Sequence, residues 1–74
     1  MNTAHLTSII EQRWNEAIAN PTIPRWRTLA RLAAQVADSI EYSDPNNIMV
    51  VTHRAIYQEA YSRMLAMEPK EIAA

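Results

Sequence analysis

A chain of 74 residues with seven basic and eight acidic side chains, for a formal charge of −1, is one small domain with no whole-molecule attraction for nucleic acid or an anionic membrane. It contains no cysteine and no glycine. The first absence excludes disulfides and thiolate ligands, and the second removes the residue that tight hairpins favour. Surface scaling gives roughly 12,000 Å² for the extended chain and about 4,700 Å² for a compact monomer. With an apolar share of roughly 60% at about 25 cal/mol/Å², burial contributes on the order of 115 kcal/mol. Ordering the chain costs about 110 kcal/mol. The two nearly cancel, so burial against a partner or a second copy would add materially to stability.

The first predicted helix covers residues 3–19. Leu6, Ile9, Ile10, Trp14, Ala17 and Ile18 recur at three-to-four-residue spacing, the mark of an amphipathic helix. Thr3 or Thr7 is a candidate cap. Asn20-Pro21 ends the helix, because the residue before a proline is pushed out of the helical region. Arg13 falls between Ile9 and Ala17 on the apolar side, either as a snorkelling side chain or as an interface anchor.

The second predicted helix covers residues 24–42. Thr22 or Ile23 lies at its cap, and Pro24 suits a first turn where the missing N–H costs nothing. Trp26, Leu29, Leu32, Ala33, Val36 and Ile40 make the apolar stripe, flanked by alanines that let a neighbouring helix approach closely. Its start carries Arg25, Arg27 and Arg31, and its end Asp38 and Glu41, with Asp44 beyond. That polarity opposes the helix dipole at a few tenths to about 1 kcal/mol per charge. Helix stability therefore does not explain the arginines. Two readings stand: a solvated face neutralised by Glu11 or Glu16, or a basic patch for an acidic partner.

Ser43-Asp44-Pro45-Asn46-Asn47 is a turn cluster, with Asp44 a candidate cap for the third predicted helix, residues 46–67. The run Ile48 to Val51 suits a strand by propensity, but nothing else in the chain can pair with it, so a helix is expected. Met49, Val50, Ile56, Tyr57, Ala60, Tyr61, Met64 and Leu65 share a broad arc. Ile48, Val51 and Ala55 form a second patch on the other side. The segment 68–74 reads as a tail. The expected architecture is all-α: a small three-helix bundle, or a helical hairpin plus helix, in a dimer whose self-association surface is Ile48, Val51, Ala55 and Met64.

Catalytic and metal chemistry find no foothold. The two histidines, His5 and His53, do not supply the convergent ligands of a zinc site. No serine sits in a nucleophile-elbow pattern, and there is no glycine-rich phosphate loop. No cofactor is implied. A helix-turn-helix reading of TLARLAAQVADSI fails because nothing near Ala34-Gln35 breaks the helix. His53 lies on the apolar arc, as a packed residue or as a contact at an interface. MNTAHLTSII lacks the basic region and apolar core of a secretory leader, and no run is long enough to span a bilayer. A cytoplasmic protein is expected. The function that follows is a non-enzymatic module binding another protein through Arg25, Arg27, Arg31, Arg13 and His53. The alternative is a nucleic-acid-associated regulator using the basic start of the second helix.

Overall fold

A computed structural model describes residues 3–68. Three helices follow one another: α1 Thr3–Ala19, α2 Ile23–Ser43 and α3 Ile48–Met67. The expected all-α class holds, and the Ile48–Val51 run is helical. The expected tail falls, from residue 69 onward, outside the described residues.

Local chemistry accounts for the boundaries. Thr22 is the N-cap of α2, its hydroxyl accepting from the Arg25 N–H at 3.2 Å, with Pro24 in the first turn as expected. Asp44 closes α2 rather than opening α3: its N–H donates to the Ile40 carbonyl at 2.7 Å. Asn47 caps α3, its side-chain oxygen accepting from the Met49 N–H at 2.9 Å. Asparagine suits that position because its short amide reaches the orphan donors of the first turn. Thr7 lies inside α1 rather than at its start.

The helices run up, down and up. Arg54, early in α3, reaches Asp38 and Glu41, late in α2, while Met64, late in α3, lies beside Arg27, early in α2. α2 and α3 therefore pack antiparallel along their length. α1 packs on α2 alone as far as backbones are concerned, and no Cα of α1 comes within 8 Å of one in α3. Small side chains set this arrangement. Ala30, Ala33 and Ala37 of α2, Ala60 of α3 and Ala17 of α1 are all buried, and with Ile10, Trp26, Leu29, Val36, Ile40, Val50 and Met64 they fill the core. Leu32 only half joins it, and Ile18, expected in the α1 stripe, is 47% exposed. It stands one residue past the buried Ala17, on the turning edge of the helix.

α1 is attached at one end by aromatic contacts. Trp14 meets Trp26 edge-on, with centroids 5.6 Å apart and planes at 77°, the geometry that aromatic quadrupoles prefer. The Arg63 guanidinium lies 5.3 Å from the Trp14 ring and 5.1 Å from the Trp26 ring, while its Nε donates to Glu59 at 2.8 Å. One cation from α3 thus bridges both tryptophans, where each such contact is worth about 0.5–2 kcal/mol.

The burial pattern separates two leucines one turn apart. Leu29→Ala is expected to cost about 2–5 kcal/mol, and Leu32→Ala clearly less, read as the shift in urea-unfolding free energy. Equal losses at the two positions would mean that α2 is rotated relative to this description.

Candidate functional site

The arginines singled out in the sequence fall into two groups. Arg13 is not on the apolar side of α1 but exposed, its Nη1 3.3 Å from Glu16; the three-residue spacing puts the pair on one outer edge of the helix. Arg25 turns back across the loop and donates from Nη1 to the Asn20 carbonyl at 3.4 Å. A cation there faces the carbonyl end of α1, which the helix dipole favours. Both side chains have local partners.

Arg27 and Arg31 do not. Among the described residues neither makes an ion pair or hydrogen bond through its side chain, so neutralisation by Glu11 or Glu16 does not occur. Instead they form one wall of a shallow groove of about 230 Å³ whose other wall is Tyr57, Tyr61 and Met64, with Ala30 at the base. The construction is periodic. Arg27 and Arg31 are one turn apart on α2, Tyr57 and Tyr61 one turn apart on α3, and antiparallel packing lays the two rows side by side. The tyrosine rings stack, with centroids 5.9 Å apart and planes at 29°. Tyr61 is 43% exposed, and Leu65 beyond it is exposed as well.

The two ends of α2 are treated differently. At its C-terminal end Arg54 donates from Nη2 to Asp38 at 2.9 Å and Glu41 at 2.7 Å. The hydrogen bond to Asp38, then that to Glu41, holds the guanidinium pKa above its usual value. The acidic end is thereby neutralised in part within the chain, while the basic end is left open.

His53 is completely buried, so it belongs to no outer partner surface. Its Nδ1 lies 2.7 Å from the Met49 carbonyl. Met64 leaves the expected self-association surface too: at 7% exposure it is part of the core. The rest of that surface faces outward, with Ile48 74% and Val51 67% exposed, Ala55 exposed, and Tyr42 near the same end of the molecule 95% exposed. Among the described residues no group of three or more His, Asp or Glu is placed to hold a metal ion, and no helix is long and apolar enough to cross a membrane.

The tyrosines and Arg54 were absent from the site expected on sequence. Matching four-residue spacings, Arg27/Arg31 and Tyr57/Tyr61, were the available signal, but it acquires meaning only once α2 and α3 are known to be antiparallel. Comparison of the chain with protein families, with curated proteins and with solved structures finds no match.

Proposed function

We propose that this chain is a non-enzymatic helical interaction protein, an adaptor, inhibitor or regulator that binds another protein through the Arg27–Arg31 groove. The observation that carries the reading is two unpaired guanidinium groups beside a stacked, partly exposed tyrosine pair. Arginine and tyrosine are the side chains most enriched where interfaces concentrate their energy. An acidic segment with aliphatic or aromatic residues fits the groove: carboxylates accept the planar fork of Arg27 and Arg31, and apolar side chains cover Tyr61 and Leu65. The same pairing of arginine with aromatic rings suits single-stranded nucleic acid, whose bases stack on such rings, and this supplies the second reading. The charge of −1 weighs against it.

The double variant Arg27→Gln/Arg31→Gln tests the groove. It keeps helix propensity and removes a like-charge pair, so its melting temperature is expected to stay level or rise slightly. Partner capture from cell extract is expected to fall sharply relative to the wild type and to survive nuclease treatment. Undiminished capture by the variant contradicts the protein-binding reading, and capture abolished by nuclease replaces it with the nucleic-acid one.

Self-association through Ile48, Val51 and Ala55 belongs to the same proposal. It is supported by large apolar side chains held outward on one face of α3, where a soluble monomer leaves few. Sedimentation at high micromolar concentration is expected to show dimers in the wild type and monomers in Ile48→Glu/Val51→Glu, with unchanged helical circular dichroism. A wild type that sediments as a monomer throughout contradicts it.

A further inference from the structure

An antiparallel helix pair offers two flanks on which a further helix can rest. α1 takes one of them: across a cleft of about 320 Å³, its Ile10 and Trp14 stand opposite Met49 and Ile56 of α3. The buried row of α3 is His53, Ala60 and Met64. At about 3.6 residues per turn, Met49 and Ile56 fall to one side of that row, and Tyr57 and Tyr61 to the other. The second flank is therefore the Arg27–Arg31 groove. Among the described residues no helix of the chain covers it.

Both walls of this groove repeat once per turn. Arg27 and Arg31 are about 6 Å apart along the axis of α2, and Tyr57, Tyr61 and Leu65 follow one another at the same interval along α3. The result is a strip parallel to the two helices, basic along one edge and aromatic to aliphatic along the other. Arg27, Arg31, Tyr61 and Leu65 are all exposed, so a partner can reach them. Such a strip calls for carboxylates along one edge of the occupant and apolar side chains along the next. A helix supplies both. Acidic residues at i and i+4 rise by the same about 6 Å, and the adjoining face carries an apolar row. A helix also satisfies its own backbone. An extended segment would have to pair its peptide groups elsewhere, and the described residues form helices only, with no strand edge to join. The chain's own acidic pair, Asp38 and Glu41, is already engaged by Arg54, which makes another molecule the source of the carboxylates.

We infer that the occupant of the groove is an amphipathic α-helix of a partner protein, with acidic residues one turn apart against Arg27 and Arg31 and an apolar row against Tyr61 and Leu65. The inference rests on the protein-binding reading above and narrows the partner to a helix lying along α2 and α3, on the flank opposite α1.

The probe is an alanine-rich synthetic peptide of about 20 residues, long enough to form a helix, with Glu at i and i+4 and Leu at i+1, i+5 and i+8. One control moves the glutamates to the far face of the helix, and another carries Pro in the middle turn. Each is titrated into the full chain by ¹⁵N–¹H NMR. The first peptide is expected to shift resonances of α2 and α3 around the groove and to become more helical on binding. Arg27→Gln/Arg31→Gln is expected to weaken it about fivefold to thirtyfold, the worth of two partly exposed ion pairs. Tyr61→Ala is expected to weaken it about fivefold or more, while Arg13→Gln, outside the groove, leaves it unchanged. Both controls are expected to bind more weakly. Equal binding of the Pro peptide, still lost in the arginine variant, overturns the helix and leaves the protein-binding reading standing. Equal binding of the far-face control, or of the first peptide to the arginine variant, overturns the inference as well. If no peptide binds and single-stranded oligothymidine shifts the groove instead, both the inference and the protein-binding reading fall. Groove resonances that move on dilution of the chain alone, with no response to peptide, make a second copy the occupant and overturn the inference.

Discussion

Close packing of α3 on α2 through small side chains is the constraint from which the rest of this molecule follows. With no phenylalanine and no glycine in the chain, close approach of two helices depends on alanine. Ala30, Ala33 and Ala37 occupy the buried face of α2, and Ala60 is buried in α3. Two helices that meet this closely leave little apolar surface between them for a third to enter. α1 therefore rests on α2 beside the hairpin, attached by Trp14, Trp26 and Arg63. The cleft between α1 and α3 is the consequence. Trp14 bounds the cleft, and no other aromatic ring apart from the His53 imidazole lines it.

The same antiparallel pairing organises the charges. Taken alone, α2 carries its arginines at the wrong end of its dipole. In the fold, Arg25 faces the carbonyl end of α1, and Arg27 lies alongside Met64 near the carbonyl end of α3. Cations at those places are favoured by the neighbouring helices and offset part of the cost within α2. At the opposite end Arg54 gathers Asp38 and Glu41. Among the described residues, the arginines without an internal partner are Arg27 and Arg31, flanked by Tyr57 and Tyr61.

Helix existence, order and near-final bounds were legible because apolar periodicity and proline placement are local signals. Pro21 and Pro24 bracket the first connection, and Pro45 sits in the second. Caps were less legible: Asp44 and Asn47 are both good cap residues, and which helix each serves depends on the path of the turn between them. Burial in α3 was hardest to read, since apolar residues occur all around it. Val50, Ala60 and Met64 go inside while Ile48, Val51 and Leu65 stay out, a division set by the direction from which α2 approaches. For the same reason the groove could be half read, as arginines without tyrosines, and His53 could be read as packed but not as facing a cleft. Contacts between helices carry no signature in the spacing of either one.

The dependence on close alanine packing can be measured directly by comparing Ala33→Leu with Ala55→Leu in urea unfolding. Ala33 has no exposed surface, whereas Ala55 faces outward. The account predicts that enlarging Ala33 destabilises the fold by about 1–3 kcal/mol, the cost of overpacking a filled core, while enlarging Ala55 changes stability by no more than about 0.5 kcal/mol. Ala33→Leu matching or exceeding the wild type in stability would contradict the account, because the α2 face would then have room to spare.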